Sequence, residues 1–124
     1  MPIEIPYVSN SEPGSFIIMA VHGTVEQNMT SYSPIHNRRV GVHVDLSSLV
    51  ASGEGGTVTV RFKHKVDDVN YVPVDIASFI VGVDELHPEL DAWGSSEDDA
   101  MLITIQLASA VTADRTVYYK IMEG

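Results

Sequence analysis

Apolar and polar residues alternate with a period of two at several places along the chain, and no stretch sustains the 3.6-residue period of an amphipathic helix. In residues 57–66, Val58, Val60, Phe62, His64 and Val66 share one face, while Thr57, Thr59, Arg61, Lys63 and Lys65 share the other. That is the pattern of a half-buried strand with its basic residues pointing outward. Val40, Val42 and Val44 alternate with Gly41 and His43, and residues 101–108 and 115–122 alternate in the same way. Residues 16–22 form a compact apolar run of strand length. Residues 71–83 carry two parities, Val72, Val74 and Ile76, then Phe79, Val81 and Val83. Such a slip predicts a bulge or corner near Ala77 and Ser78, and Pro73 puts the first half at a sheet edge.

The segments between these runs read as connections. Residues 24–39 are polar and turn-rich, and the glycines at 53, 55 and 56 make a tight loop into the clearest strand. Asp67-Asp68-Val69-Asn70 is a hairpin-type connection without the favoured glycine. Residues 45–49 suit one helical turn capped by Asp45. Residues 84–99, acidic with Pro88, Gly94 and the lone Trp93, read as a long loop. About seven strands and at most one helical turn predict an all-β fold, a single antiparallel β-sandwich or jelly roll. Pro2, Pro6 and Pro13 exclude a helix from residues 1–15 and favour an extended N-terminal arm, leaving residues 16–124 as the sandwich domain.

Composition narrows the function classes. The chain has 124 residues, enough for one domain with a real core, and 44% of them are hydrophobic, against intrinsic disorder. Seventeen acids against seven lysines and arginines give a formal net charge of -10, which disfavours nucleic acid and anionic membranes as partners. There is no cysteine, so disulfides, thiolate metal sites and cysteine nucleophiles are excluded. Met1-Pro2-Ile3-Glu4 has neither the basic nor the apolar region of a signal peptide, so synthesis in a cytoplasm is expected.

No catalytic constellation is visible. The five histidines lack metal-ligand spacing, and His64 reads as a hydrogen-bonded strand-end residue. No nucleophile elbow or phosphate loop is present, so no enzyme activity and no cofactor are expected. The acids of residues 84–99 could offer calcium its hard oxygens, but they do not match an EF-hand. A solvated loop that meets a basic partner through Asp84, Glu85, Glu89, Asp91 and Trp93 is the other reading.

Val42-His43-Val44-Asp45-Leu46-Ser47-Ser48-Leu49, Gly56-Thr57-Val58-Thr59-Val60-Arg61, Lys65-Val66-Asp67, Asn70-Tyr71, Ile103-Thr104-Ile105-Gln106-Leu107 and Asp114-Arg115-Thr116-Val117 resemble small β-sandwich proteins encoded among tailed-phage structural genes. The resemblance covers roughly residues 40–120. It implies a virion component, a capsid decoration or head or tail accessory protein, whose partner is the major capsid protein or another virion protein. In such a setting the arm is expected to cross onto a neighbouring copy through Ile3, Ile5, Tyr7 and Val8, with a trimer as the favoured closed form. An arm folded back along its own edge, at residues 71–74, is the alternative. The rival functional class is a carbohydrate-binding or adhesive module using exposed aromatics such as Trp93, Tyr32 or Tyr7.

Overall fold

The computed structural model describes residues 10–34, 38–51, 53–67, 69–81, 89–94 and 99–123. Among the described residues there are eight strands, β1 (Asn10–Ile18), β2 (Gln27–Tyr32), β3 (Arg38–Asp45), β4 (Thr57–Lys65), β5 (Tyr71–Ile80), β6 (Glu89–Gly94), β7 (Met101–Leu107) and β8 (Arg115–Glu123), with one short α-helix, α1 (Ser47–Ala51). They form two four-stranded antiparallel sheets, β1-β8-β3-β6 and β2-β7-β4-β5. The pairs β1–β8, β2–β7, β3–β6 and β4–β5 are those of one long hairpin rolled up on itself. Of the two expected all-β architectures, this is the jelly roll.

The core lies between the sheets and follows the alternation. Val40, Val42 and Val44 face Val58, Val60 and Phe62, with Ile103, Ile105, Val117 and Ile121 closing the space, and all are buried. Leu46 and Leu49 plug one end, held there by the turn of α1. The Ser47 N–H donates to Asp45 Oδ1 at 2.9 Å, the cap expected of Asp45. Among the loops, Asp67 supplies what the missing glycine would have given. Its carboxylate accepts from the backbone N–H groups of Val69 and Asn70, at 2.8 and 2.7 Å, and so closes the β4–β5 hairpin as an Asx-turn. The side chain of Asn70, then those two N–H groups, hold the Asp67 carboxyl below its ordinary value.

Several boundaries differ from the sequence expectations. Residues 10–15, assigned above to the arm, are paired with β8, so extended backbone at Pro13 and Gly14 belongs to a sheet edge. The strand expected over residues 16–22 ends at Ile18, and Ala20–His22 is a 3₁₀ turn in which His22 Nδ1 accepts from the Met19 N–H at 3.0 Å. The polar segment 24–39 contains β2, whose Met29 and Tyr32 are buried. Tyr32 is therefore a core residue and not an exposed aromatic. The residues of 84–99 that are described include β6, which pairs with β3, so the described residues alone hold eight strands where about seven were expected. The bulge falls earlier than Ala77 and Ser78. Phe62 pairs with Asp75 and Lys63 with Pro73, leaving Val74 as the extra residue. Val66, placed on the buried face, lies beyond β4 and is exposed.

Gly14 sits directly across from Tyr119, and a Cβ at this position would come within 2.4 Å of the tyrosine Cζ and Oη. The ring thus covers the glycine on the inner side of the edge pair. A Gly14→Ala variant is expected to push Tyr119 off its site and lower stability by about 1–3 kcal/mol, the range for overpacking. Urea unfolding followed by tyrosine fluorescence measures the loss, and an unchanged midpoint would show that the ring moves without penalty.

Candidate functional site

Three surfaces carry the side chains with chemical potential. The first is the outer face of the β1-β8-β3-β6 sheet. Val40, Val42, Val44 and Leu90 point inward, which by alternation leaves Arg39, Gly41, His43 and Asp45 of β3 and Glu89, Asp91 and Trp93 of β6 on the outer side. Register then sets the rows. Arg39 lies across from Trp93, Gly41 from Asp91 and Met122, His43 from Glu89 and Lys120, and Asp45 from Tyr118. Arg39 Nη2 pairs with Asp91 Oδ2, and His43 Nδ1 lies 3.6 Å from Glu89 Oε1. A hollow of about 190 Å³ forms over Gly41, lined also by Asp75, Glu89, Asp91 and Met122.

Of the residues the sequence singled out for a partner-binding loop, Glu89, Asp91 and Trp93 thus share one strand face, and Asp84 and Glu85 lie outside the described residues. Trp93 is 67% exposed. Tyr118, 58% exposed, is a second aromatic on this face that the sequence reading missed. It lies six residues along and two strands over, roughly 20 Å by 10 Å from Trp93, so the two do not make one stacking platform. Among the described residues no group of three or more histidines and carboxylates is placed to hold a metal ion. The arm residues Ile3, Ile5, Tyr7 and Val8 also lie outside the described residues.

The second surface is the outer face of β2-β7-β4-β5, where the outward-pointing Arg61 and Lys63 of β4 are engaged by a carboxylate. Glu26, just before β2, folds over the sheet. Its Oε2 accepts from Thr104 Oγ1 at 2.5 Å, and it lies 3.0 Å from Lys63 Nζ and 3.3 Å from Arg61 Nη1. Arg61 also donates to Gln106 Oε1 at 2.9 Å, and Gln106 Nε2 donates to the Thr24 carbonyl at 3.1 Å. Burial opposes ionisation of Glu26, but hydrogen bonds from Thr104 and Lys63 and the charges of Lys63 and Arg61 outweigh it and hold the carboxyl below its ordinary value. Thr104 is wholly buried as a result. A similar tie joins the loop before β4 to the β7–β8 turn, where Glu54 Oε2 accepts from Arg115 Nε at 2.6 Å and from Thr112 Oγ1 at 3.0 Å. The network reads as a structural clasp on the 19–26 segment.

The third surface is apolar. Val72, Val74, Ile76 and Ile80 are 41%, 47%, 54% and 48% exposed along β5, the outermost strand of its sheet. Asp75, across from Phe62, lies on the other side of the strand from Ile76, and it is occupied. Its carboxylate accepts from the N–H groups of Ile76 and Asp91, at 3.0 and 2.9 Å. The two conflicting parities of residues 71–83 carried a signal for this surface, since only one set can face a single core.

No protein-family model matches the sequence, and no curated protein does. Solved structures do match in fold. A pilus protein of Bacillus endospore appendages superposes with a TM-score of 0.56 at 11% identity, over 92% of this chain and 86% of that one. The Yersinia pseudotuberculosis-derived mitogen gives a TM-score of 0.53 at 10% identity, over 95% and 86%. A chain of the acid-stable capsid of Helicobacter pylori bacteriophage KHP30 gives 0.48 at 9% identity, over 92% and 87%. What this chain shares with the endospore pilus protein and the mitogen is the fold alone.

Proposed function

We propose that the chain is a non-enzymatic structural protein of a tailed-phage virion, a capsid decoration or head or tail accessory protein. It assembles as a homo-oligomer, with a trimer favoured, and docks on the major capsid protein or another virion protein. The observation that carries this reading is the set of exposed apolar side chains on β5, an edge strand. Edge strands are normally blunted by exposed charge, and a chain with a net charge of -10 has acids to spare for that purpose. Here the edge presents valine and isoleucine, which suits a surface that is covered in an assembly. The resemblance of residues 40–120 to tailed-phage structural proteins supports the setting. The hollows over Gly41 and beside Gln106 hold about 190 and 240 Å³, below the usual range for small-molecule sites, which supports a protein partner over a substrate. The carbohydrate-binding reading rests on Trp93, and Tyr118 on the same face is too far away to stack against the same sugar.

Because residues 10–15 pair with β8, the part of the arm available for exchange is residues 1–9. A chain lacking residues 2–9 is expected to keep its β-sheet spectrum and cooperative melting while losing self-association and particle binding. Mass spectrometry of purified virions of the encoding genome tests the setting. Stoichiometric presence of the chain is expected, and its absence from particles overturns the reading.

A further inference from the structure

We propose that the second half of β5, residues 76–80, pairs with the same segment of a second copy of this chain, antiparallel and about a two-fold axis at Ser78. The proposal goes beyond the reading above and rests neither on the arm nor on the virion setting. β5 is the outermost strand of its sheet, so among the described residues no strand pairs with its far side. Hydrogen bonds fix which main-chain groups point there. The Val81 N–H donates to the Gly56 carbonyl at 3.0 Å, so by alternation residues 79 and 77 also turn their main-chain groups toward β4. Ser78 and Ile76 turn theirs away. The Ile76 N–H accordingly reaches the adjacent Asp75 carboxylate, at 3.0 Å, instead of a strand.

The two halves of this edge differ in how they are protected. Pro73 has no N–H, Val74 is the bulged residue and Asp75 carries a charge, so the first half holds three of the devices that keep edges from pairing. Residues 76–80 hold none of them. Ile76 and Ile80, 54% and 48% exposed, lie on the outer face across from Arg61 and Thr57, with Ser78 between them across from Thr59. The contact with β6 is made on the other side of the strand, from the Asp91 N–H to Asp75. The segment Ile76-Ala77-Ser78-Phe79-Ile80 is also symmetric, with an isoleucine two residues to either side of Ser78. Antiparallel pairing about Ser78 therefore sets Ile76 of each copy across from Ile80 of the other, and serine across from serine. The two Ser78 residues exchange N–H and carbonyl at the axis, and the isoleucines cover each other on one face. A register shifted by two residues would set isoleucine against serine. Charge favours this meeting point too. Two chains of net charge -10 repel, but residues 76–80 are uncharged, and the two copies of Asp75 are offset by six residues, roughly 20 Å.

The absence of cysteine makes the register directly readable. On mild oxidation the full chain carrying Ser78→Cys should form a disulfide-linked dimer at least tenfold faster than one carrying Ile17→Cys, an exposed position on the other sheet. Ile76→Cys mixed with Ile80→Cys should give the heterodimer in excess over either homodimer, because residue 76 of one copy is offset from residue 76 of the other by four residues, roughly 14 Å. No excess rate for Ser78→Cys, or homodimers in place of the heterodimer, overturns the proposal. A second measurement needs no thiol. Ser78→Lys and Ser78→Asp each place like charges opposite one another at the axis and should weaken self-association at least fivefold by sedimentation. An equimolar mixture of the two should recover it, lysine then facing aspartate. Weakening without recovery overturns the proposal, since that is what mere damage to β5 would give. Neither readout uses the arm or a virion, so the failure of either of those readings leaves this contact standing.

Discussion

Replacing Phe62 by alanine is expected to lower the unfolding free energy by about 3–5 kcal/mol, the largest loss available from a single core position. Among the described residues Phe62 is the largest wholly buried side chain, and it lies on β4, with strands on both sides. Its register partners are Ile103 on β7 and Asp75 on β5, so its ring sits where the two halves of the roll close on each other. Truncation leaves a cavity between strands that are fixed on both sides by main-chain hydrogen bonds and collapse poorly. A domain of this size has roughly 5–15 kcal/mol in total, so the variant is expected to melt at least 10 °C lower. Ile76→Ala on β5 supplies the contrast. With its side chain about half exposed, it should change stability by less than about 0.5 kcal/mol. Urea midpoints at unchanged slope measure both. A loss below about 1 kcal/mol for Phe62→Ala would contradict a core centred on β4.

Which parts of the fold could be read from the residues follows from how each strand is buried. β3, β4, β7 and β8 are inner strands of their sheets with one face on the core, so period-two alternation marks them plainly. β1, β2, β5 and β6 are edge strands, and there the signal thins. β2 keeps only Met29 and Tyr32 buried out of six residues, and β6 reads as acidic loop because its outer face carries Glu89, Asp91 and Trp93 around Leu90 and Ala92. The bulge was legible as a parity slip, but its place was not. Which residue is extra depends on the partner strand, and Phe62 with Lys63 decides it. The candidate surface behaved alike. Trp93 was visible as a lone tryptophan among acids, whereas the exposed apolar side chains of β5 could be separated from core only once the first parity, Val72, Val74 and Ile76, was seen to face solvent.

The clasp at Glu26 was the feature least visible in sequence, because its members are 35 and 78 residues away in the chain, and it yields the second large effect. Glu26→Gln is expected to destabilise the protein by about 1–3 kcal/mol at neutral pH. The amide keeps a hydrogen-bonding group for Thr104 but leaves Arg61 and Lys63, with side chains 26% and 18% exposed, as neighbouring like charges without their carboxylate. The pH dependence has a definite sign. A carboxyl held below its ordinary value of 4.5 in the native state contributes stability that is fully present above 4.5 and is lost as pH falls through the lower native value. The gap between wild type and Glu26→Gln should therefore be widest at pH 6–7 and shrink on acidification below about 4.5. Neither protein becomes pH-independent, since Glu54 and Asp67 are also held below their ordinary values, the first chiefly by Arg115 and the second chiefly by Asn70. Urea midpoints for both proteins at neutral pH and near pH 3 settle it. A gap that persists undiminished in acid would mean that shape complementarity, and not the charge on Glu26, holds the 19–26 segment over the sheet.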